Sequence, residues 1–254
     1  MIKNKNQILV SVVLSIRNNA SFLTSSLQSV LDQSYKNLEI IAIDDNSIDN
    51  SYSILKKLKT KDKRLKIYKN VKNYGNAITL NRCIKKAKGD FLVFMDPKDI
   101  MLKTKIQKQV NFLLKNPKTV AIGAQCYFIN EESKKIGMSA FPSHPLTIQK
   151  NPMHGISIFF EGIMINRFLI PKDLLYFASN NDFLYSSIAY KLSLYGELNN
   201  LNNFLFHHRK LNPASHDLSN FLAFFKFWLI SKQNDMNVSF KAIFSTAFKY
   251  TFLS

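Results

Sequence analysis

The chain has 254 residues, with 35 Lys and Arg against 17 Asp and Glu, a formal charge of +18. Apolar residues make up 46% and Gly and Pro are only seven each, which excludes disordered, collagen-like and linker-like classes. So large a positive excess asks for an anionic partner: nucleic acid, a membrane surface or a phosphorylated small molecule.

Near the N-terminus an apolar run follows Lys3 and Lys5. It is β-branched, ends in Arg17-Asn18-Asn19 and lacks a small-residue cleavage site, so it reads as a buried strand over residues 8–15 rather than a signal peptide. Residues 20–33 carry apolar side chains at helical spacing. A second buried strand, 38–43, ends in Asp44-Asp45-Asn46-Ser47, and a helix over 49–59 follows. Residues 65–68 form a third strand, 77–88 a helix, and 91–95 (FLVFM) a fourth strand closed by Asp96. Such alternation implies a parallel sheet with right-handed crossovers, in which ligands bind beyond the carboxyl ends of the strands. The polar clusters around Ser15 to Asn18, Asp44 to Ser47 and Asp96 to Asp99 all fall there, so topology alone predicts a site.

Further on, a helix is expected over 103–114 and strands over 120–130 and 156–165. A helix over 182–195 ends at Gly196, a natural C′ residue, and a short strand covers 203–208. Residues 218–254 change character, with eight Phe, the only Trp, four Lys and one acid. No stretch reaches the roughly 18 apolar residues of a spanning helix, and the two cysteines, Cys83 and Cys126, read as reduced thiols of an intracellular protein.

Three blocks carry a resemblance. Residues 10–51 (VSVVLSIRNNASFLTSSLQSVLDQSYKNLEIIAIDDNSIDNS) resemble the opening of family 2 glycosyltransferases. Residues 73–99 (NYGNAITLNRCIKKAKGDFLVFMDPKD) resemble the family's stretch from its Asn-x-Gly element to its DxD motif, and residues 196–209 (GELNNLNNFLFHHR) the segment after its catalytic-base helix. The resemblance implies an α/β GT-A fold, a mostly parallel Rossmann-like sheet flanked by helices. Residues 1–217 would form this domain, with a nucleotide-binding half of about 1–100 and an acceptor half of about 101–217. Residues 218–254 would form a basic, Phe-rich helical appendage. The implied activity is inverting transfer of a sugar from a nucleotide-diphosphate donor, UDP by family habit. The acceptor would be a hydroxyl of a growing surface glycan or lipid-linked acceptor in a bacterial cell.

Carried over residue by residue, the resemblance places Ser15, Arg17, Asn18, Asp45 and Asp96 at the nucleotide. A carboxylate at a strand end suits a nucleobase N–H. Asn181-Asp182 matches the family's base pair, making Asp182 the general base that takes the acceptor's proton. Arg209, His208, His154 and Glu161 are candidates for the diphosphate or acceptor. Only one of His207 and His208 can face the site, since strand neighbours alternate.

The motif departs from the family at one position: it reads Asp96-Pro97-Lys98-Asp99, so Lys98 stands where a carboxylate ordinarily ligates Mg²⁺ or Mn²⁺. Three readings stay open. Lys98 supplies the charge opposite the leaving diphosphate without a metal; the site is impaired and the chain is an accessory partner; or Asp96 and Asp99 still hold a divalent cation.

Residues 56–72 hold nine Lys and Arg and one acid. They lack the interleaved aromatics of a nucleic-acid footprint, so anionic lipid is the favoured partner and nucleic acid is not. In the tail, Phe240, Phe244, Phe248 and Phe252 form a stripe with Lys241 and Lys249 beside it, fitting peripheral membrane or protein docking. The expected location is cytoplasmic, on the inner face of the membrane.

Overall fold

The structure, a computed structural model, describes residues 8–150, 158–177 and 184–211. Among them, β1 (Val10–Ile16), α1 (Ala20–Leu31), β2 (Leu38–Asp44), α2 (Ser51–Lys59), β3 (Leu65–Lys69), α3 (Asn76–Lys86) and β4 (Phe91–Phe94) alternate as the sequence pattern implies. Then come β5 (Ile100–Met101), α4 (Lys105–Lys115), β6 (Thr119–Ile129), β7 (Lys135–Met138), α5 (Pro145–Lys150), β8 (Met164–Asn166), α6 (Leu184–Ser193) and β9 (Glu197–Arg209). The described strands join one sheet, ordered β3-β2-β1-β4-β8-β6-β9-β5, with β7 paired to β6.

Strands β3, β2, β1 and β4 are parallel, and so are β6 and β9. The sheet is nevertheless mixed, because β8 runs antiparallel between β4 and β6, β5 pairs antiparallel with β9, and β7 with β6. Alternate residues of each central strand feed two opposite cores. Val10, Val12 and Leu14 meet α1, α2 and α4 through Leu23, Leu55 and Val110. On the other face Val13, Ile41 and Phe94 meet α3 and α6 through Leu80, Cys83 and Leu192. With both faces covered, the central strands read as unbroken apolar runs.

Three expectations need correcting. The strand expected over 156–165 is a 3₁₀ turn at Phe160–Gly162 followed by the short β8. Phe160 turns inward onto Phe94, ring centroids 4.6 Å apart, and onto Phe177, so ring packing replaces strand pairing there. The short strand expected over 203–208 is the 13-residue β9, extended by pairing with its long parallel partner β6 through a ladder with register shifts. Gly196 is no left-handed cap. A Cβ there would lie 2.5 Å from the Lys118 carbonyl, so the glycine permits close passage of the chain rather than a positive φ.

Both cysteines are free and buried, and burial pushes both thiols above their ordinary pKa, so they are unreactive core groups. Among the described residues no helix is long and apolar enough to cross a membrane.

Candidate active site

The loops after β1, β2 and β4 meet at one end of the sheet. Two of them are sewn together by side chains acting as backbone partners. The Asn18 amide donates to Ser47 Oγ (3.1 Å), the Ile48 amide to Asn18 Oδ1 (3.0 Å) and the Ala20 amide to Asp49 Oδ2 (2.9 Å). Asn18 and Asn46 both sit at positive φ, 52° and 57°, a region that asparagine tolerates better than most residues. Beyond this brace lies a cavity of about 260 Å³, walled by Ser15, Arg17, Asn19, Asp45, Asp96, Lys98 and Glu161 with the apolar Leu80, Phe94 and Met95.

Asp45 is fixed more firmly than any other wall residue. Its carboxylate accepts from Asn70 Nδ2 (2.7 Å) and from the backbone amides of Tyr74 (2.9 Å) and Gly75 (2.8 Å). Gly75, at φ 86°, is the residue type that lets the chain bend there and open α3. Asn70 is itself gripped by Arg82, whose Nη1 donates to Asn70 Oδ1 (2.6 Å) while its guanidinium stacks 4.0 Å over the Tyr74 ring. A buried carboxylate held by three donors is aimed before any ligand arrives.

Across the cavity, Asp96 Oδ1 accepts from the Lys98 backbone amide (2.8 Å), and Asp96 Oδ2 lies 3.6 Å from Lys98 Nζ. Asp99, two per cent exposed, faces away from the cavity. Its oxygens take His208 Nδ1 at 3.1 Å each and the Arg209 amide at 3.0 Å. Burial holds the Asp99 carboxyl above its ordinary pKa despite these partners; in its ionised form it only accepts, and His208 Nδ1 is then the donor. Burial alone would lower the His208 pKa, but the hydrogen bond and charge of Asp99, with Glu161 and Asp96 nearby, outweigh it and hold the ring above its ordinary value. Glu161, half-buried in the wall, is pushed up to about 7 by burial.

The structure therefore brings Ser15, Arg17, Asp45, Asp96, Lys98 and Glu161 to one cavity. Asn18 braces the loops, and its neighbour Asn19 lines the wall instead. Of the histidine pair, His208 turns to Asp99 while His207 packs against Tyr127. Arg209, expected against the diphosphate, has another task. It is buried, and its guanidinium donates to the carbonyls of Lys98 (3.1 Å), Asn130 (2.6 Å) and Glu131 (2.8 Å) and to Ser133 Oγ (2.9 Å). With four donors spent and its plane 4.5 Å over Phe22, it clamps the loop that carries Lys98. Asp182, His154 and the whole segment 218–254 lie outside the described residues.

Sequence reasoning did not find Asn70, Arg82 or the fully buried Lys105. Asn70 follows a strand end, as Asp45 does, and that position was the available signal. Lys105 opens α4 and carries no pattern that distinguishes it from a solvated lysine.

The donor set does not suit a divalent cation. Asp99 is consumed by His208 and Arg209, and the one carboxylate left to join donor phosphates and water around a Mg²⁺, Asp96, lies 3.6 Å from the Lys98 ammonium, whose positive charge opposes a cation there. Among the described residues no three His, Cys, Asp or Glu side chains gather to hold a metal.

A sheet with a parallel first half, carboxylates at its strand ends and a cavity beyond them has the architecture of the GT-A fold. Solved structures share the fold. S. aureus TarS 1–349 in complex with UDP-GlcNAc superposes with a TM-score of 0.72 at 17% identity, over 96% of this chain and 71% of that one. The Pyrobaculum calidifontis mannosyltransferase PcManGT, in complex with GDP-Man and Mn²⁺, gives 0.67 at 15% identity over 94% and 69%. The chain belongs to glycosyl transferase family 2, which it matches over residues 11–174. It is 31% identical over 169 residues to an uncharacterised glycosyltransferase of Haemophilus influenzae, spanning 66% of this chain and 68% of that protein. To Escherichia coli WfaP, a UDP-Glc:α-D-GlcNAc-diphosphoundecaprenol β-1,3-glucosyltransferase, it is 33% identical over 134 residues, 53% of this chain and 52% of that one.

Proposed function

We propose that this chain transfers a sugar from a nucleotide-diphosphate donor, UDP-linked, to a hydroxyl of a lipid-linked glycan acceptor, with inversion. The observation that carries the reading is the pre-aimed Asp45 carboxylate, set across one cavity from Asp96 in a family 2 chain. In this reading Asp45 meets the nucleobase, Ser15 and Asp96 the ribose, and the diphosphate runs toward Lys98. The acceptor oxygen attacks the anomeric carbon and passes its proton to Asp182. The bond from that carbon to the diphosphate breaks, and its electron pair leaves on the nucleoside diphosphate. WfaP supports a diphosphoundecaprenol-linked acceptor by its sequence similarity. The seven exposed lysines among residues 56–72, with exposed Ile48 and Val71 on the loops after β2 and β3, support approach to an anionic membrane surface. Residues 218–254 would add to that docking.

A thermal-shift screen of nucleotide sugars tests the donor half. A donor at about 100 times its Kd adds about 2.7 kcal/mol, enough to raise the melting temperature by roughly 5–10 °C in a chain of this size. If no nucleotide sugar shifts the transition, the donor reading fails. The Lys98–Asp96 contact also favours a second reading, a transferase-like partner that binds donor without turnover. Stabilisation by a nucleotide sugar with neither hydrolysis nor transfer would select that reading.

A further inference from the structure

Counting the charges at the strand ends leads past the transfer reaction to how its leaving group is held. Asp45 is satisfied by three donors from its own chain, and Asp99 by His208 and the Arg209 amide. Asp96 is capped on one oxygen by a backbone amide and faces an ammonium with the other. Asp44, buried at the end of β2 outside the cavity lining, accepts from the Ser47 amide on Oδ2, and in the wall Glu161 resists ionisation below about pH 7. These donors occupy lone pairs that a metal would need, and two cations, Arg17 and Lys98, line the same cavity as Asp45 and Asp96.

Lys98 is mounted for such work. Its amide donates to Asp96, and its carbonyl accepts from Arg209 Nε at 3.1 Å, so the buried Arg209 clamp fixes the backbone from which the ammonium extends. Its side chain is 28% exposed, which leaves the charge partly desolvated and stronger toward an anion than a surface lysine's. The 3.6 Å separation from Asp96 Oδ2 exceeds a good hydrogen bond, so the ammonium's donors are not consumed by that contact.

We propose that Lys98, with Arg17 on the wall of the same cavity, holds the donor diphosphate in place of a divalent cation. As the bond from the anomeric carbon to the diphosphate breaks, its electron pair stays on the diphosphate oxygen. The negative charge that builds there is met by the Lys98 ammonium, which keeps its proton. The inference rests on the donor reading above, and its test separates the two.

Calorimetric titration of UDP, GDP, dTDP and CDP into the full chain is run in excess EDTA and again in Mn²⁺. The best-bound diphosphate keeps its affinity within about threefold between the two conditions. Lys98→Ala weakens it by at least about tenfold, as expected for a lost charge-assisted contact, while Lys98→Arg stays within about fivefold of the wild type. Lys98→Asp, which restores a carboxylate, loses binding in EDTA and recovers it in Mn²⁺. Melting curves of each variant confirm that it folds, and Lys98→Arg and the EDTA comparison do not depend on Lys98→Ala folding. Wild-type binding that vanishes in EDTA and returns with Mn²⁺ would overturn the proposal, and so would a folded Lys98→Ala chain that binds as tightly as the wild type. Failure of the wild type to bind any of the four diphosphates would instead overturn the donor reading on which the proposal rests.

Discussion

Replacing Lys105 by methionine stabilises the protein and removes a pH dependence that the wild type carries. Lys105 is fully buried at the start of α4, its amine donating to Gln109 Oε1 at 3.0 Å and lying 5.9 Å from the Phe206 ring centre. Burial pushes its pKa down to about 7, with Asp99 pulling weakly the other way. Each pKa unit is worth about 1.4 kcal/mol, so the drop from 10.5 marks a cost on the order of 5 kcal/mol for the protonated amine. Methionine avoids that cost but strands Gln109 Oε1, because the Gln109 amide nitrogen is already fixed by the carbonyls of Ile122 and Gly162. The stranded acceptor costs about 1–3 kcal/mol, leaving a net gain of roughly 2–3 kcal/mol near neutral pH. The sign with pH follows from the protons. Between about pH 7 and 10.5 the unfolded lysine holds a proton that the folded one has released, so wild-type stability rises with pH. Urea midpoints of both proteins from pH 6.5 to 9 isolate the effect, since the other titrations cancel in the difference. The wild type should gain about 2–3 kcal/mol on Lys105→Met across that range. A difference that stays constant with pH would refute the buried-amine reasoning.

Glu161→Gln should behave in the opposite sense, because burial raises the Glu161 pKa from 4.5 to about 7. Wild-type stability falls as pH climbs through that window, so the variant is more stable by about 1–3 kcal/mol at pH 8 and equal near pH 4; equal midpoints at both would contradict this. Arg209→Ala leaves the carbonyls of Lys98, Asn130 and Glu131 without their donor and should cost about 3 kcal/mol in thermal melting. An unchanged melting temperature would show that the clamp is dispensable. Asp45→Asn turns an amide donor toward Asn70 or the Tyr74 and Gly75 amides, and should weaken nucleoside diphosphate binding by about tenfold or more in calorimetry. Full affinity would remove Asp45 from the nucleotide site.

The half of the molecule that positions the site was readable because its signals are local. Buried parallel strands announce themselves as apolar runs, and the residue after such a run lands at the ligand end of the sheet. The polar clusters that contain Asp45 and Asp96 were placed at that end on this ground, and the family resemblance singled out the two residues within them. The rest depends on partners distant in the chain. Ile100–Met101 is a strand only because Phe206 and His207 lie beside it, and Lys135–Met138 is an exposed edge with no alternation to read. Glu161 enters the cavity because Phe160 turns onto Phe94, a tertiary preference that no spacing encodes. Arg209 looked like an anion partner by type and position. Its true neighbours are the carbonyls of a turn nearly 80 residues away, which only the folded register of β6 and β9 brings within reach.

The most direct test of the transferase reading is product formation. The full chain is incubated with the nucleotide sugar that stabilises it most and a GlcNAc-diphospho-lipid acceptor, and the lipid product is analysed together with the released nucleotide. One nucleoside diphosphate should be freed for each sugar joined to the lipid, the new bond carrying the opposite anomeric configuration to the donor's. Both products should be lost in Asp182→Asn while donor binding persists. Donor that binds but yields no glycosylated lipid, or an Asp182→Asn chain that transfers at the full rate, would contradict that reading.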